Sequence, residues 1–548
     1  MPFFTLLQRE SRIVNGAFIA LIIISGLSNA AVMAIINAAV ETVEHHEENF
    51  RLLMMLVLVI TLFVVSQRRL MGMVARQVEQ VVHRLRVRLV ERARRAELLE
   101  IENIGRSEIF SCISRETKTL SQASAPFVVA AQSAVLVTFT LLYIAWLSET
   151  AFALSVIFTA IGAAIHLLRS AEVKRKLREA YEYENQFLDT CSDLLDGFKE
   201  AKMDHARAVD ITEKAREISL QVALKKTERE MLYANDFVFS QVTFFVLTGM
   251  MVFIVPILSP TYIHVAVMTT TAALFMIGPV GTVVSAIPLF LNTNAAASSI
   301  LTLEERMASL ERQETEDPAP FTGFQTIRLE NLRFRHRSAE NGGFTVGPVN
   351  LTIERGSTIF ITGGNGSGKS TFVRLMIGLY PAEQGRIRVD GKPVDGSNLN
   401  AYRRQFSVIF SDNHLFQELY GLREIDQELA DELFDLLEIR HKSRLIGRSF
   451  TNVKLSGGQR KRLALIASLL EKKPICVFDE WAADQDPHFR AKFYRDILPR
   501  LKERGITVLA VTHDEKYFDV ADVHLHMEEG QLQVVHSRSV LPASETVA

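Results

Sequence analysis

The chain has 548 residues, enough for about three to four domain-sized units, and its 61 basic and 63 acidic residues leave a formal net charge of −2. This balance gives no support for a polybasic nucleic-acid binder or a strongly acidic protein. A small secreted, collagenous or disordered protein is excluded by the length and by the 48% of hydrophobic residues. The three cysteines (Cys112, Cys191 and Cys476) are far apart and odd in number, so they suggest neither a disulfide framework nor a zinc ribbon.

Long uncharged stretches mark the N-terminal half as a membrane domain. Residues 237–303 contain 67 consecutive positions without Asp, Glu, Lys or Arg, enough for two spans of about 20 residues each. The second span is the shortest and is flanked by arginines that can reach the membrane interface. Six spans are predicted: Ile13–Val40, Leu52–Gln67, Leu120–Ser148, Thr150–Leu168, Phe237–Leu258 and Tyr262–Leu291.

Basic residues set the expected orientation of the spans. The connection 67–123 carries twelve Lys and Arg residues and the connection 169–236 carries thirteen, whereas the three opposite loops contain only Arg51. Both connections and both termini are therefore predicted to face the cytoplasm. The first span is too long for a signal peptide, so we interpret it as uncleaved. Both connections have helical periodicity and are expected to reverse near Asn103–Gly105 and Asp196–Gly197, as arms that transmit motion or as solvated hairpins.

Polar residues inside the spans either line a cavity or pack helices together. On the outward side, His45-His46-Glu47-Glu48 has the residue types of a metal site, but a solvated acidic loop is the favoured interpretation. The intramembrane candidates are Asn29, Asn37, Gln132, His166, Gln241, Thr269–Thr271, Ser285, Asn292 and Asn294.

The acidic, proline-containing stretch before residue 324 interrupts both the apolar and the helical patterns. The predicted organisation is a transmembrane domain at 1–310, a linker at 311–324, a domain of alternating strand and helix patterns at 325–540 and a tail at 541–548.

A phosphate-binding loop follows a β-rich run in the C-terminal half. Gly363-Gly364-Asn365-Gly366-Ser367-Gly368-Lys369-Ser370-Thr371 matches the P-loop pattern and stands between a predicted strand and a helix. Its amides and the helix N-terminus should hold the phosphates of ATP, with Lys369 on the β- and γ-phosphate oxygens and Ser370 on Mg²⁺.

Two acids end another buried-strand run, Ile475–Glu480. Asp479 suits the Mg²⁺ shell, and Glu480 is placed to act as the base that polarises an attacking water. Leu455-Ser456-Gly457-Gly458-Gln459 then precedes a helical run and supplies a second phosphate-binding segment.

Together these motifs resemble those of ABC ATPases, and over nearly the whole chain the sequence resembles an ABC exporter half-transporter. The resemblance implies a helical membrane domain of six transmembrane helices fused to an α/β P-loop ATPase domain. It implies a D-loop role for Asp486, contact of His513 with the γ-phosphate, and stacking of His336 on adenine. It also implies a dimer, most simply a homodimer, in which each ATP lies between one P-loop and the partner's Ser456–Gln459 segment.

The chain departs from the common exporter pattern at three places. His336 stands where exporters usually have an adenine-stacking tyrosine. Ser411 occupies the place of the Q-loop glutamine, so its part in holding Mg²⁺ is open, and Arg448–Lys454 replaces an acidic stretch. Three other segments, Asp193–Glu200, Lys454–Arg462 and Asp479–Pro487, are similar to the cyclic-peptide and siderophore exporter group, which includes pyoverdine-precursor, syringomycin and microcin exporters.

The expected function is ATP-driven export of a cyclic or non-ribosomal peptide, or of a siderophore precursor, from cytoplasm to periplasm across a bacterial inner membrane. The expected partners are a second copy, the bilayer, the peptidic substrate and periplasmic or outer-membrane export machinery, without nucleic acid. A lipid flippase or a siderophore importer with the same fold stays open as an alternative, as does a nucleotide-gated regulator or channel.

Overall fold

The computed structural model describes residues 2–10, 16–44, 50–258, 265–308, 321, 323–336, 343–412 and 414–537. The His45–Glu48 segment, most of the predicted linker and the tail lie outside these residues. The described chain forms two units, Met1–Arg92 with Arg106–Arg306, and Ala93–Gly105 with Met307–Ala548. The short segment Ala93–Gly105 therefore belongs to the second unit, although it lies within the predicted 1–310 domain.

The first unit is helical. Its N-terminal part comprises α1 (Pro2–Glu10), α2 (Gly16–Glu44) and α3 (Phe50–Arg95), and the chain re-enters after α4 (Leu98–Ile104) with α5 (Arg106–Ser111), a π-helical turn (Cys112–Glu116), α6 (Thr117–Leu147), α7 (Glu149–Asp196), α8 (Phe198–Met203), α9 (His205–Phe253), α10 (Val255–Leu258) and α11 (Ala266–Ala308).

Within the described ranges, five helical stretches are long and apolar enough to cross a membrane: Gly16–Ala39, Phe50–Arg95, Arg106–Leu147, His205–Ile257 and Ala266–Ala308. They correspond to five of the six predicted spans, including the short second one. A shorter apolar stretch, Glu149–Gly162, lies at the start of α7, where the remaining span is predicted. Large apolar side chains such as Leu58 and Phe253 are exposed on these helices (70% and 75%). Such exposure is expected of helices that face lipid, because their surface need not be polar.

The two long helices α7 and α9 pack against one another beyond their apolar parts. Salt bridges join Lys176 to Glu228 at 2.5 Å and Lys225 to Glu179 at 3.3 Å. Helix α7 ends just before Gly197, close to the predicted reversal. Asp204 then caps the start of α9 by accepting hydrogen bonds from the amides of residues 206 and 207. The first unit thus contains the long helices that the sequence predicts for the connection 169–236.

A polar cluster joins three apolar helices. Gln132 on α6 donates to Ser25 on α2 at 2.9 Å and also to Gln67 on α3, and the Ser25 hydroxyl donates to Gln67 at 2.9 Å. Nearby, the backbones of α2 and α6 approach so closely that a Cβ on Gly26 would lie 2.6 Å from Val135. Gln132, one of the intramembrane candidates, therefore packs helices together. Asn37 does so too, by donating to the Met268 carbonyl at 3.2 Å.

The second unit is α/β. Its strands are β1 (Thr326–Arg335), β2 (Thr345–Glu354), β3 (Thr358–Thr362), β4 (Gln384–Val389), β5 (Lys392–Pro393), β6 (Phe406–Ile409), β7 (Leu445–Ile446), β8 (Ser449–Phe450), β9 (Ile475–Asp479), β10 (Thr507–Val511), β11 (Val523–Glu528) and β12 (Gln531–Ser537). Besides α4, its helices are α12 (Lys369–Met376), α13 (Leu399–Arg403), α14 (Gln427–Leu436), α15 (Gly457–Leu470), α16 (Pro487–Lys492) and α17 (Leu498–Glu503).

Two sheets organise this unit. The larger has the order β12-β11-β3-β10-β9-β6 and is parallel except for the edge pair β11–β12, whereas β2-β1-β4-β5 is antiparallel. The central strands β3, β9 and β10 are buried along their whole length, as expected for a parallel sheet covered on both faces. Because parallel strands end at one edge, the loops after β3, β6, β9 and β10 meet there.

Candidate active site

The loop between β3 and α12 is shaped to surround an anion. Gly363, Gly366 and Gly368 have φ values of 145°, 77° and 103°, and a Cβ on Gly363 would lie 2.2 Å from the carbonyl oxygen of Met527. The buried Ser367 hydroxyl has no hydrogen-bond partner within the described part of the chain. The loop therefore offers backbone amides, a helix N-terminus and a free hydroxyl to a phosphate group.

Lys369, the first residue of α12, turns back over this loop. Its ammonium donates to the carbonyl oxygens of Gly363 and Gly364 at 3.0 and 2.9 Å, and the side chain is 6% exposed. A cation held in this way places positive charge at the centre of the P-loop, where phosphate oxygens would replace or share the carbonyl contacts.

Asp479 ends β9 beside the start of α12. It is buried, and its Oδ1 has no hydrogen-bond partner among the described residues. Burial raises the pKa of the Asp479 carboxyl, and hydrogen bonds from Ser370 and Ser411 oppose that rise. The three predicted metal-binding residues are thus neighbours, and a buried carboxylate with one unpaired oxygen and two hydroxyls fits the hard oxygen ligands that Mg²⁺ prefers.

Glu480 projects from the turn after β9 in a strained backbone conformation, with φ 52° and ψ 36°. Its Oε1 lies 3.5 Å from Nε2 of His513, which follows β10. Both side chains are partly exposed, so a water molecule can reach the carboxylate. This pair is suited to orient and deprotonate a nucleophilic water.

The sequence patterns did not indicate Lys461 on α15, which holds this turn in place. Its buried ammonium donates to the Glu480 carbonyl at 2.9 Å and pairs with Asp484 at 2.8 Å. The Trp481 indole donates to the Lys461 carbonyl at 2.8 Å, so backbone and side chain of Lys461 both bind the segment after β9. A sequence signal was available: three consecutive cationic residues, 460–462, stand at the start of a packed helix, so at least one of them is expected to face the interior of the domain.

The predicted signature segment begins α15. Ser456 is the N-cap, and it and Gln459 cap one another's backbone amides. A Cβ on Gly458 would lie 2.5 Å from the Asp484 carbonyl, so this position requires glycine, whereas Gly457 faces open space. Within the described residues these polar side chains bond locally, and none donates to the P-loop.

Asp486 lies beside this segment as the N-cap of α16. It accepts a hydrogen bond from the Phe489 amide at 2.9 Å and pairs with Arg462 at 2.8 Å, and the amide and the guanidinium lower the pKa of its carboxyl. Arg462 also stacks 3.6 Å above the Phe489 ring. Asp486, the predicted D-loop residue, is therefore held by α15, the helix that begins with the predicted signature segment.

Two aromatic positions bear on recognition of a base. His336, at the end of β1, contacts Phe334 and Tyr380 edge-on, with ring centroids 5.1 and 5.6 Å apart. Phe344, which the sequence patterns did not single out, lines a cavity of about 760 Å³ beside the P-loop, and its ring would lie 3.0 Å from a Cβ on Gly368. Phe344 lies directly before β2, and an apolar residue at such a place is equally typical of core packing and of a ligand contact, so the sequence pattern did not distinguish the two.

A second cavity, of about 620 Å³, lies in the helical unit between α9 and α11. Its walls are mainly apolar and include Phe237, Ile287 and Leu291, with Ser285 among the lining residues. Glu230 and Asp236 also line it, and Asp236 pairs with Arg169 on α7 at 2.5 Å. An apolar cavity with a charged margin suits an amphipathic molecule.

Comparisons with known proteins agree with this geometry. Residues 346–483 match the family model described as ABC transporter. The ATP-binding protein SyrD of Pseudomonas syringae pv. syringae is 29% identical over 528 residues, covering 93% of this chain and 92% of that protein. The energy-coupling factor transporter ATP-binding protein EcfA1 of Streptococcus pneumoniae serotype 2 is 30% identical over 230 residues, covering 38% and 80% of the two chains.

Among solved structures, that of a bacterial Atm1-family ABC exporter with ATP bound superposes with a TM-score of 0.76 at 17% identity, covering 95% of each chain. The fold and the site together define an ATP-binding membrane protein. The chain belongs to the ABC transporter family; its fold is that of an ABC exporter, and its enzymatic activity is ATP hydrolysis coupled to transport. The resemblance stated from the sequence motifs is confirmed.

Proposed function

We propose that this transporter exports a cyclic or non-ribosomal peptide, or a siderophore precursor, from the cytoplasm to the periplasm across a bacterial inner membrane. The observation that carries this proposal is the resemblance of Asp193–Glu200, Lys454–Arg462 and Asp479–Pro487 to the cyclic-peptide and siderophore exporter group. The similarity to SyrD supports it, since it extends over 93% of the chain and so includes the membrane half. The apolar cavity between α9 and α11, with acidic residues at its margin, is compatible with an amphipathic peptide.

ATP would bind with its phosphates in the P-loop and its base against His336. Lys369 neutralises phosphate charge, and the amides at the start of α12 donate to phosphate oxygens. Ser370 and Asp479 would hold Mg²⁺, with Ser411 as a further oxygen donor in place of the longer glutamine. The ion would supply charge neutralisation for the phosphates.

Glu480 would accept the proton of the attacking water, and His513 would position that water and contact the γ-phosphate. The strained backbone at Glu480 keeps its carboxylate at the open edge of the sheet. Hydrolysis would then reset the transporter after each transport step.

Two copies are required, because the chain carries one P-loop and one signature segment. Each composite site would combine the P-loop of one copy with the Ser456–Gln459 segment and Asp486 of the other. The local bonding of the signature side chains leaves Gly457 open for such a contact. Closure of this homodimer on two ATP molecules would drive the membrane helices, and delivery to periplasmic or outer-membrane machinery would follow.

The test is comparative mass spectrometry of culture medium and cells from three strains: wild type, a deletion, and the deletion complemented with Glu480→Gln. Export predicts that a peptide-like compound disappears from the medium in both mutants while its precursor accumulates in the cells. An unchanged set of secreted compounds would refute the proposal and favour lipid flipping or import.

The purified Glu480→Gln protein provides a second test of the assigned base. It should bind ATP normally and lose at least about 100-fold in turnover, the usual contribution of a positioned general base. Normal turnover would remove Glu480 from that role.

A further inference from the structure

The chain on either side of His513 is held by three polar side chains that bond to one another. Tyr494, in the π-helical turn Phe493–Ile497, donates to the Asp514 carboxylate at 2.9 Å, and its oxygen lies 2.6 Å from the Thr512 hydroxyl. The Asp514 amide donates to the same threonine hydroxyl at 3.0 Å, which leaves the threonine proton for the tyrosine oxygen. Both chain neighbours of His513 are therefore fixed by hydrogen bonds.

The His513 ring depends on these neighbours for its position. In the described part of the chain it pairs with Glu480 alone, at 3.5 Å, and its side chain is 49% exposed. Tyr494, in contrast, is buried and is stacked on Tyr517 with ring centroids 4.6 Å apart. A close-packed interior resists displacement, so an exposed histidine stands on a rigid support.

Arg490 on α16 joins this support to the segment that follows Glu480. Its Nη1 donates to Asp514 at 3.2 Å, and its Nη2 donates to the carbonyl oxygens of Ala483 and Gln485 at 3.1 and 3.3 Å. A guanidinium presents its donors in a fixed planar fork, so it sets the spacing between the groups that it binds. One cation thus bridges the segment that begins at Glu480 and the segment that ends at Asp514.

The burial of this bridge distinguishes it from an ion pair at the surface. The Arg490 and Asp514 side chains are 32% and 20% exposed. A nearby pair, Arg495 with Asp519 at 2.5 Å, is 51% and 56% exposed, and among its described contacts Arg495 reaches neither of the two bridged segments. Solvent screens such an exposed pair, whereas a partly buried charge-assisted bond holds its geometry. Arg495 is therefore a matched control for Arg490.

We propose that Arg490 is a positioning residue for ATP hydrolysis, which keeps His513 in register with Glu480. It acts through Asp514 and through the Tyr494 hydroxyl, and not through the nucleotide. This role rests on those proposed above for Glu480 and His513, and it adds to them a residue that no sequence motif marked. Loss of the bridge should therefore slow the chemical step and leave ATP binding unchanged.

The first measurement is steady-state phosphate release by the purified full-length protein over a range of ATP concentrations, with the Tm of each sample. Arg490→Gln should lower kcat at least about tenfold with the KM for ATP within about twofold, since the displaced pair serves only the chemical step. Arg490→Lys keeps a charge beside Asp514 but loses the fork, so its kcat should be at least about threefold above that of Arg490→Gln. Arg495→Gln should stay within about twofold of the wild-type kcat.

Two further variants test the route of action. Tyr494→Phe keeps the stacked ring and loses the hydroxyl, so it should lower kcat at least about threefold in a protein that still folds. Arg490→Gln added to His513→Ala should cost less than about twofold beyond His513→Ala alone, because residues that act as a unit are not additive.

Three results would each overturn the positioning role: a kcat for Arg490→Gln within about threefold of wild type, an Arg490→Lys protein no better than Arg490→Gln, or a loss of about tenfold repeated in the His513→Ala background. An unchanged kcat in Tyr494→Phe would overturn the route through its hydroxyl. A merely structural role would lower the Tm while the kcat of the folded fraction stayed at the wild-type value.

Glu480→Gln, measured in the same assay, separates the two proposals. Normal turnover by that variant would remove the base assignment and the positioning role with it. Lost turnover in Glu480→Gln beside a fully active Arg490→Gln protein would refute the positioning role alone.

Discussion

Replacement of Lys461 by methionine should slow ATP hydrolysis although Lys461 is not predicted to touch the nucleotide. Glu480 has a left-handed backbone, which costs a non-glycine residue about 1–2 kcal/mol. The Lys461 ammonium donates to the Glu480 carbonyl at 2.9 Å, and a hydrogen bond from a charged donor contributes about 1.5–3 kcal/mol. The two magnitudes are similar, so without Lys461 the turn is free to relax.

Relaxation would move the Glu480 carboxylate away from His513. A loss of about 2 kcal/mol in the productive arrangement corresponds to roughly a 30-fold fall in kcat, because each 1.36 kcal/mol is a factor of ten. The KM for ATP should change less than about twofold, since the P-loop and Lys369 are untouched. Methionine has a similar length, so the packing of α15 is retained.

The assay is steady-state phosphate release by purified full-length protein over a range of ATP concentrations. Lys472→Met is the matched control, because Lys472, two residues beyond the end of α15, is 60% exposed and pairs with Asp426 at the surface. Solvent screens an exposed ion pair of this kind, so this variant should keep the wild-type kcat within about twofold. A Lys461→Met protein with kcat within threefold of wild type would refute the proposed support of Glu480.

Three further outcomes are expected. Gly530→Ala should lower the Tm of the full-length protein by several degrees, because a Cβ at this position, where φ is 80°, would lie 2.0 Å from a backbone carbonyl oxygen. The control is Gly396→Ala, whose Cβ would meet nothing within 4 Å, so the Tm should stay within about one degree of the wild type in the same scan. Burial raises the pKa of the Cys476 thiol to about 12, so maleimide labelling of Cys476 should be negligible at pH 8 in the folded protein. The labelling rate should rise with pH, as the thiolate fraction grows, and labelling should become fast after denaturation. Rapid labelling of the native state at pH 8 would contradict this prediction. Gly26→Ala should lower the Tm in detergent, since its Cβ would lie 2.6 Å from Val135, and adding Val135→Ala should recover part of the loss; no recovery would show that the contact is not the cause.

Motifs with fixed spacing indicated the phosphate-binding part of the candidate site. Gly363–Lys369 identifies its own chemistry, because strand, glycines and helix are contiguous in the chain. Asp479 and Glu480 were indicated by a buried-strand run that ends in two acids, and His513 by the resemblance to ABC ATPases. In the structure these residues follow the neighbouring parallel strands β9 and β10, whose ends lie at one edge of the sheet.

Contacts that depend on packing between distant segments could not be predicted in the same way. No periodicity pairs Lys461 with the Glu480 carbonyl or the Tyr380 hydroxyl with Glu102, since each contact depends on how a helix is rotated within the folded unit. The sequence indicated a reversal near Gly105, where φ is 89°, but composition alone could not assign the preceding segment to the ATPase unit. The apolar stretches predicted five long membrane-type helices, because a membrane imposes that pattern on length and composition, whereas only the shorter stretch Glu149–Gly162 stands at the fourth predicted span.

The hydrogen-bonded cluster of Ser25, Gln67 and Gln132 limits which helices can move independently. In hydrocarbon, each of these groups would be left without a partner if α2, α3 or α6 rotated about its own axis. The three helices are therefore expected to move as one rigid block during a transport cycle, because their shared hydrogen bonds hold them together. Opening and closing of the pathway would then be confined to hinges outside that block, and conformational trapping should be sought there.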